Sequence, residues 1–363
     1  MKVGVPRETA AHERRVALVP DAVARMLKSG FAVVIESGAG VEAGFPDAAY
    51  TSAGASVADP WSADVVCKVQ PPSATEISKL RERAALVGIL QAATSPDLLR
   101  ALAQRSVTAF SLELLPRITR AQPMDVLSSQ ATVAGYKAVL LAAETTPKFF
   151  PMLVTAAGTL PPARVLVLGA GVAGLQAIAT ARRLGAVVSA FDVRPAVKEQ
   201  VESLGARFLM MEQQVVAEGA GGYAKELSAG QHQQELEFLA RGVKDADVVI
   251  TTAAIPGKRA PILVTRAAVD GMKPASVIVD VAAETGGNCE LTRAGESVVH
   301  GGVTILGPVN LPATLPQHAS QMYARNVSSF LGHVVKDGML NLDFADEITT
   351  ATCVTHDGKV LRS

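Results

Sequence analysis

The residues RVLVLGAGVAG, at positions 164–174, are the most informative part of this sequence about its fold. The first five of these residues form an apolar run of strand length, and the glycines Gly169, Gly171 and Gly174 follow at once. Residues 172–184 then continue without proline and have the composition of a buried helix. A GxGxxG sequence that joins the end of a strand to the start of a helix indicates the dinucleotide-binding turn of a Rossmann βαβ unit.

A glycine is required at each of these three positions for a different physical reason. Gly169 permits the tight turn after the strand, Gly171 lets the backbone approach a pyrophosphate, and Gly174 lets the helix pack closely against the strand. The N-terminus of the helix then presents free N–H groups to the phosphates. The turn therefore predicts a bound dinucleotide.

A carboxylate follows at the end of the next predicted strand. Residues 187–192 are VVSAFD, and Asp192 comes about 20 residues after the first glycine, where the ribose-binding acid of this motif is found. A carboxylate there accepts hydrogen bonds from the ribose hydroxyls and repels a 2′-phosphate, which favours NAD over NADP. Arg194 leaves alternatives open, since it could hold a 2′-phosphate, neutralise Asp192 or form a solvated ion pair with it.

A second glycine run, GAGVEAG at residues 38–44, also follows an apolar stretch, FAVVIE. Phe45, Pro46 and Asp47 come next, so no helix begins at the position that the motif requires. We interpret this run as a structural turn.

Short apolar runs alternate with helical patterns on both sides of the dinucleotide turn. The first series covers residues 2–112, and the second begins at residue 164 and ends near residue 306. Strands that alternate with helices predict a mostly parallel sheet covered on both faces. The predicted fold class is therefore α/β, with two Rossmann-like doubly wound parallel-sheet domains. The motif ADVV, present in each series at residues 63–66 and 246–249, would follow from two similar sheets, although chance would also explain it.

Two long helical patterns, at residues 125–145 and 315–335, stand where the two series meet. We expect both to cross between the domains, with a cleft at the point where they meet. The tail that starts near residue 350 is too short to fold alone, so we expect it to pack back on the first domain. The predicted domains are residues 1–127 with 315–363, and the NAD-binding domain at residues 128–314.

Composition excludes several classes of function. Hydrophobic residues make up 49% and charged residues 19% of the chain, which is typical of a globular protein and excludes a disordered one. Lys and Arg number 34, as do Asp and Glu, and aromatic residues are 4%, so a nucleic-acid partner is not expected. Cys67, Cys289 and Cys353 are odd in number and far apart, which predicts neither disulfides nor a metal site.

The longest apolar run, at residues 165–181, has the hydropathy of a membrane span. Three glycines break its first half, so a strand, a turn and a helix explain it better. We expect no other segment to approach the ~20 apolar residues of a span, and the N-terminus contains no apolar signal core. No direct membrane span is therefore predicted, and a reducing cytosol is the expected location.

The predicted loop at residues 113–129 is rich in polar side chains. One interpretation is an exposed loop in which Asp125 caps the following helix. The other is a binding loop, because arginine, glutamine, aspartate and serine together offer donors and acceptors that suit a carboxamide and a pyrophosphate. The residues concerned are Arg117, Arg120, Gln122, Asp125 and Ser128.

Four blocks of the sequence resemble a known family. They are PRITRAQPMDVLSSQATVAGYKA from residue 116, TAAGTLPPARVLVLGAGVAGLQAIATARRLGA from residue 155, VESLGARF from residue 201 and GGYAKE from residue 221. Over nearly its whole length the chain is similar to the NAD-binding α subunits of proton-translocating NAD(P) transhydrogenases. It resembles alanine dehydrogenases more distantly, in ERRVALVP, VCKVQPP and VIVDVAAETGGNCE. The resemblance implies that NAD(H) is the cofactor of this chain.

The resemblance also implies roles for individual residues. The candidate catalytic residues, which would orient the nicotinamide ring and its carboxamide, are Arg117, Gln122, Asp125 and Ser128. The pyrophosphate turn would comprise Gly169, Ala170, Gly171, Val172 and Gly174. The adenosine ribose would be contacted by Asp192, Val193 and Arg194. A mobile loop that closes over the nucleotide would contain Gly222 and Tyr223, and the backbone at Ala254 would line the nicotinamide side.

An alanine-dehydrogenase-like amino-acid dehydrogenase remains the alternative, and a non-catalytic nucleotide-sensing module is a third interpretation. Arg15 and Lys68 match the positions that hold the substrate carboxylate in alanine dehydrogenases, although both could be structural residues paired with carboxylates. The histidine expected in that family is Gln91 here, and the aspartate of its motif is Glu284. Because glutamine cannot titrate, the general acid–base step of such a dehydrogenase would be impaired.

Transhydrogenation makes a different demand. Hydride exchange between two nicotinamides moves no proton at the reacting carbons, so it needs alignment and the exclusion of water. The chain has one credible dinucleotide motif, so NADP(H) and the proton path are expected on partner chains. The resemblance implies a cytoplasmic homodimer, docked on membrane-embedded and NADP-binding subunits at the inner face of the plasma membrane. Hydride would pass from NADH here to NADP⁺ on the partner.

Overall fold

The computed structural model describes residues 1–211, 228–255 and 258–362. The chain divides into two compact units, of which the first comprises Met1–Gln130 and Pro312–Ser363 and the second comprises Ala131–Leu311. The sequence predicts boundaries after residues 127 and 314, and the units divide after residues 130 and 311.

Strands and helices alternate through most of both units. In chain order the strands are β1 (Lys2–Val5), β2 (Ala32–Ile35), β3 (Ser56–Val57), β4 (Val65–Cys67), β5 (Ala85–Gly88), β6 (Thr108–Ser111), β7 (Leu153–Thr155), β8 (Gly158–Leu160), β9 (Arg164–Leu168), β10 (Val187–Phe191), β11 (Arg207–Phe208), β12 (Val248–Thr251), β13 (Val277–Asp280), β14 (Ser297–His300), β15 (Val303–Leu306), β16 (Val335–Lys336), β17 (Met339–Leu340), β18 (Cys353–His356) and β19 (Lys359–Val360). The helices are α1 (Pro20–Lys28), α2 (Asp47–Ser52), α3 (Ala74–Lys79), α4 (Pro96–Gln104), α5 (Val126–Thr145), α6 (Val172–Arg183), α7 (Lys198–Ser203), α8 (Ala229–Asp245), α9 (Arg266–Asp270), α10 (Pro316–Val334) and α11 (Glu347–Thr352).

The first unit is built on an eight-stranded sheet with the order β19-β18-β6-β5-β4-β1-β2-β3. Strands β1 to β6 pair in parallel, and their order 3-2-1-4-5-6 is that of a doubly wound sheet. Strand β18 lies antiparallel to β6, and β19 lies antiparallel to β18. The C-terminal tail therefore extends the sheet of the first unit, as predicted.

The second unit contains a seven-stranded sheet with the order β11-β10-β9-β12-β13-β15-β14. Apart from β14, which lies antiparallel to β15, its strands pair in parallel. Counted along the chain from β9, the parallel strands again have the order 3-2-1-4-5-6. The predicted α/β class with two doubly wound parallel sheets is confirmed.

The repeated ADVV motif occupies equivalent places in the two sheets. In each unit its aspartate precedes the strand that lies beside the first strand. Asp64 Oδ2 accepts a hydrogen bond from the backbone N–H of Lys2 at 2.8 Å, and Asp247 Oδ2 accepts one from the backbone N–H of Arg164 at 2.9 Å. The motif therefore binds the amino end of the first strand in both units.

Apolar side chains cover both faces of each sheet. In β9, Val165 and Val167 belong to one core cluster, whereas Leu166 and Leu168 belong to the cluster on the opposite face. Strand β4 of the first unit divides its side chains between two clusters in the same way. This two-sided burial explains why these strands are continuous apolar runs in the sequence.

The two long helices differ in where they lie. Helix α5 has residues in both units, as expected for a crossing helix. The sequence predicts that α10 crosses as well, but α10 lies wholly in the first unit. Its side chains Tyr323, Val327 and Phe330 pack in the core of that unit, and the chain returns from the second unit through the short 3₁₀ turn Leu311–Thr314.

Helix α8 was not predicted. The sequence contains a glycine- and glutamine-rich segment at residues 217–234 in which no helix is predicted, and α8 begins within it, at Ala229. The Ser228 hydroxyl accepts a hydrogen bond from the N–H of Gln231, and the Gln231 side chain accepts one from the N–H of Ser228. This capping box satisfies two N–H groups at the start of the helix and is the signal that composition obscured.

Among the described residues, α5 is long and apolar enough to cross a membrane by length and composition. This differs from the expectation that no such segment exists beyond residues 165–181. The core helix of a globular domain meets the same two criteria, and Ala138, Val139 and Ala142 of α5 lie in the core of the second unit.

Candidate nucleotide-binding site

The glycine turn lies at the carboxyl edge of the second sheet, where β9 and β12 end side by side. The N–H of Thr252, just after β12, donates to the carbonyl of Leu168 at 2.8 Å and so joins the two strand ends. In a sheet of this order the first and fourth strands flank the point at which the strand order reverses, and ligands bind there. The fold therefore places the motif where a nucleotide is expected.

The backbone of the turn has the form that the three glycines require. Gly169 has a φ of +96°, a conformation that L side chains rarely adopt. A Cβ atom on Gly174 would lie 1.9 Å from the carbonyl oxygen of Gly169, so α6 can pack against the turn only at a glycine. A Cβ atom on Gly171 would meet no atom within 4 Å. The space beside Gly171 is open, whereas the space beside Gly174 is filled by protein.

The other glycine run, at residues 38–44, has the glycine spacing without the open space. A Cβ atom on Gly40 would lie 2.5 Å from the hydroxyl of Tyr50. Tyr50 is fully buried, and its hydroxyl donates to the carbonyl of Leu18 at 2.9 Å. This side chain fills the place that a pyrophosphate would need, in agreement with the interpretation as a structural turn.

Asp192 connects the turn to the end of β10. Its Oδ2 accepts a hydrogen bond from the N–H of Ala170 at 2.7 Å. Arg194 donates to the same carboxylate through Nε at 2.8 Å and through Nη2 at 2.7 Å. Val193, between them, packs against the apolar cluster on one face of the sheet. Of the roles left open for Arg194, the one seen in this structure is neutralisation of Asp192.

A second buried carboxyl group, Glu235 of α8, lies close enough to Asp192 to interact with its charge, and the sequence did not single it out. Glu235 is 2% exposed and contacts Nδ1 of His232 at 2.9 Å. Burial raises the pKa of Glu235, His232 opposes that effect, and the negative charge of Asp192 adds to it. In the sequence, the contact between His232 and Glu235 is indicated by their spacing of three residues, which places them on the same side of a helix.

Two further residues support the turn without having been predicted. The hydroxyl of Thr252 donates to the carbonyl of Gly169 at 3.0 Å. A Cβ atom on Gly135 would lie 2.0 Å from the carbonyl oxygen of Ala173, so α5 closely approaches the first turn of α6 at this glycine. A glycine inside a long apolar helix is a signal of close packing that could have identified Gly135.

The polar loop that precedes α5 belongs to the first unit. Asp125 Oδ1 accepts a hydrogen bond from the N–H of Ser128 at 2.9 Å, and its Oδ2 accepts one from the Ser128 hydroxyl at 2.6 Å. The predicted helix cap is confirmed. Arg117 and Gln122 are exposed. The candidate catalytic residues thus share one loop of the first unit, and the glycine turn lies in the second.

The C-terminal part of the first unit anchors this loop. Arg120 pairs with Asp346, which also contacts Nε2 of His333 at 2.8 Å. Asn326 Nδ2 donates to the carbonyl of Pro123 at 2.8 Å. Burial opposes the ionisation of Asp346, but hydrogen bonds and the charged partners outweigh it and hold its pKa well below the ordinary value. The loop is therefore fixed at both of these positions.

Arg15 and Lys68 lie buried in the first unit and are paired with carboxylates. Lys68 Nζ lies 3.1 Å from Glu8 Oε2 and 3.0 Å from Glu76 Oε1. Arg15 donates to Glu13 through Nε at 2.8 Å and through Nη2 at 2.7 Å. Burial opposes the ionisation of Glu13, but hydrogen bonds from Arg15 lower its pKa to about 2. Both cations are thus neutralised within the unit, in agreement with the structural role left open for them.

The remaining predicted positions are exposed or are not described by the structure. Gln91 follows β5 with a φ of +54° and is exposed, as is Glu284. Ala254 is exposed just beyond the end of β12. Gly222 and Tyr223 lie outside the described residues.

Two family models match the chain. The N-terminal domain of the alanine dehydrogenase/PNT family matches residues 4–134, and the C-terminal domain of that family matches residues 138–363. The first part of NAD(P) transhydrogenase subunit alpha from Rhodospirillum rubrum is 48% identical over 375 residues, covering 99% of this chain and 98% of that protein. The crystal structure of transhydrogenase from Sinorhizobium meliloti is 47% identical, covers 99% of this chain and 100% of that one, and has a TM-score of 0.91. The alanine dehydrogenase of Bacillus subtilis is 32% identical over 331 residues, covering 87% of this chain and 81% of that enzyme.

Proposed function

This chain belongs to the alanine dehydrogenase/PNT family, and from that premise we propose that it is the NAD(H)-binding subunit of a proton-translocating NAD(P) transhydrogenase. The resemblance deduced from the motifs is confirmed. The observation that carries the proposal is the end-to-end match to a transhydrogenase subunit at a much higher identity than to an alanine dehydrogenase. The chain is accordingly an oxidoreductase of the transhydrogenase type.

NAD(H) fits the turn described above. The open space beside Gly171 admits a pyrophosphate to the backbone, and Gly171 brings no capping side chain to the N-terminus of α6. Asp192 stands beside the turn, where a ribose hydroxyl would share its carboxylate with Arg194. The residues proposed to hold the nucleotide are Gly169, Ala170, Gly171, Val172, Gly174, Asp192, Val193, Arg194, Gly222, Tyr223 and Ala254.

The loop before α5 is proposed to orient the nicotinamide ring. An ionised carboxylate has about four acceptor positions, and Asp125 uses two of them for Ser128. The remaining acceptors of Asp125 suit the amide N–H groups of a nicotinamide carboxamide, and the exposed Arg117 and Gln122 add donors. When bound, the nicotinamide supplies the hydride. The protein's part is then to align the ring and to exclude water, which requires no titrating residue.

The second coenzyme, NADP(H), is proposed to lie on a partner subunit. The glycine run at residues 38–44 is filled by Tyr50, so it supports no second pyrophosphate site. Proton movement would then belong to membrane-embedded subunits, with this chain bound to them from the cytoplasmic side. Hydride would pass from NADH on this chain to NADP⁺ on its partner.

A homodimer is proposed on the strength of an exposed apolar hairpin. Strands β7 and β8 pair with each other and, among the described residues, with no other strand. Met152, Val154 and Leu160 on this hairpin are 59%, 71% and 49% exposed, and the nearby Phe149 is 57% exposed. Exposed apolar side chains grouped on one hairpin are typical of a protein–protein interface.

Cyclic transhydrogenation tests the proposed function. The full chain, mixed with a purified NADP-binding partner, should transfer hydride between NADH and an oxidised NAD analogue. Asp125→Asn should slow this exchange sharply, because an amide accepts fewer hydrogen bonds from the carboxamide. Ser129→Ala, which removes a hydroxyl bonded to the carbonyl of Val126 in the same helical turn, is the matched control. If Asp125→Asn turns over like the wild type, the loop does not orient the nicotinamide.

The alternative, amino-acid dehydrogenation, is favoured by the presence of Arg15 and Lys68. It is disfavoured by their pairing with buried carboxylates and by glutamine at position 91. Incubation of the purified chain with alanine and NAD⁺, or with pyruvate, ammonium and NADH, distinguishes the two activities. Turnover in that assay would reject the transhydrogenase proposal.

A further inference from the structure

A buried asparagine holds the backbone at the carboxyl end of β12. Asn288 is 0% exposed. Its Nδ2 donates to the carbonyls of Ala253 at 2.9 Å and Pro261 at 2.7 Å, and its Oδ1 accepts from the N–H of Ala253 at 3.0 Å. One side chain therefore binds both the N–H and the carbonyl of the same residue, 35 positions earlier in the chain.

Asn288 is itself held by a buried carboxylate. Asp280, at the end of β13, is 0% exposed, and its Oδ2 accepts hydrogen bonds from the N–H groups of Asn288 at 2.7 Å and Cys289 at 3.0 Å. The hydroxyls of Thr251 and Thr292 donate to the same carboxyl group at 2.8 Å and 2.6 Å. The position of Asn288 is thus determined by residues at the ends of β12 and β13.

This network reaches the glycine turn. A Cβ atom on Gly169 would lie 3.0 Å from the backbone nitrogen of Ala253 and 2.8 Å from the Thr252 hydroxyl oxygen. The Thr252 hydroxyl donates to the carbonyl of Gly169. The segment that Asn288 holds is therefore in direct contact with the first glycine of the turn.

We propose that Asn288 is a positioning residue of the nucleotide site, which acts through Ala253 and Thr252 on the glycine turn. The inference rests on the proposed binding of NAD(H). The asparagine amide presents two donor hydrogens beside one acceptor oxygen, which the two carbonyls and the N–H group require, and glutamine would be longer by one methylene. Aspartate has the size of asparagine but can only accept, so it would leave the carbonyls of Ala253 and Pro261 without their donor.

The test compares binding of NADH and 5′-AMP to the full chain. Loss of the three hydrogen bonds in Asn288→Ala should displace the turn that contacts the pyrophosphate and raise the Kd for NADH about tenfold. The Kd for 5′-AMP, which has no pyrophosphate, should rise much less. Asn288→Asp, which keeps the acceptor for the N–H of Ala253, should have an intermediate effect and is the variant to use if Asn288→Ala does not fold.

Ser276→Ala is the matched control. Ser276 is also buried, and its hydroxyl donates to the carbonyl of Ala246 at 3.3 Å, just before β13 begins at the other edge of the sheet. This variant should lower the thermal midpoint without changing the affinity for NADH. The inference is wrong if the Asn288 variants lower the thermal midpoint while NADH binds as in the wild type, or if NADH and 5′-AMP weaken equally. A wild-type chain that does not bind NADH would instead reject the proposed function together with the inference.

Discussion

Two glycines of one turn, Gly171 and Gly174, face opposite surroundings. The φ of Gly171 is −74°, and an added Cβ atom would meet only open space. An added Cβ atom on Gly174 would lie 1.9 Å from the carbonyl oxygen of Gly169, which is a severe steric clash. Gly171 is therefore open to the proposed ligand, whereas Gly174 is required by the packing of the fold, although the motif presents the two glycines as equivalent.

Alanine substitutions should separate these two requirements. Gly171→Ala should leave the free energy of unfolding nearly unchanged and raise the Kd for NADH by about tenfold or more, because the methyl group would occupy the proposed position of the pyrophosphate. Gly174→Ala should lower the free energy of unfolding by roughly 1–3 kcal/mol through overpacking. Urea unfolding and NADH titration measure the two effects. Tight NADH binding by Gly171→Ala would show that the pyrophosphate does not approach this turn.

The two ADVV motifs, in separate units, make equivalent hydrogen bonds. Asp64 accepts a hydrogen bond from the first residue of β1, and Asp247 accepts one from the first residue of β9. Each aspartate also forms an ion pair with a basic side chain. Burial opposes the ionisation of Asp247, but hydrogen bonds from Lys148 and from the N–H of Arg164 lower its pKa below the ordinary 3.8. A carboxyl group with a lowered pKa in the folded state stabilises the fold above its unfolded pKa, and that contribution decreases as the pH falls.

Asp247→Asn should therefore reduce the free energy of unfolding at pH 7 by roughly 1–2 kcal/mol. The difference from the wild type should shrink as the pH falls below about 4, because the wild-type carboxyl group then becomes protonated as well. Asp64→Asn is the matched variant in the other unit. Thermal unfolding between pH 3 and pH 7 measures the effect, and a difference that is constant over this range would contradict it.

The apolar side chains of the exposed hairpin have their proposed partner in a second copy of the chain. Val154 is 71% exposed on this hairpin, and Val299 is 69% exposed on β14. Val154→Asp should shift the sedimentation equilibrium from dimer toward monomer, since it places a charge in the proposed interface. Val299→Asp should not. If the wild-type chain sediments as a monomer, the homodimer proposal is wrong.

Several parts of the fold could be predicted because their signals are local. The strands β9 and β12 are buried on both faces, so they are uninterrupted apolar runs, and the turn after β9 needs glycines for its own backbone. The beginning of α8 was missed because glycine and glutamine around it obscured the Ser228 cap. The crossing of α10 was wrongly predicted, since length and apolarity do not reveal which core a helix enters.

The α/β class, the glycine turn and the family could all be predicted from the sequence, because each depends on residues that are close together along the chain. The folded structure was needed to show that Tyr50 fills the second glycine run, that carboxylates neutralise Arg15 and Lys68, and that Asn288 holds Ala253. These contacts join side chains to distant parts of the chain or depend on how they are buried. Whether a polar group is free or already paired follows from packing, and a one-dimensional pattern contains no measure of it.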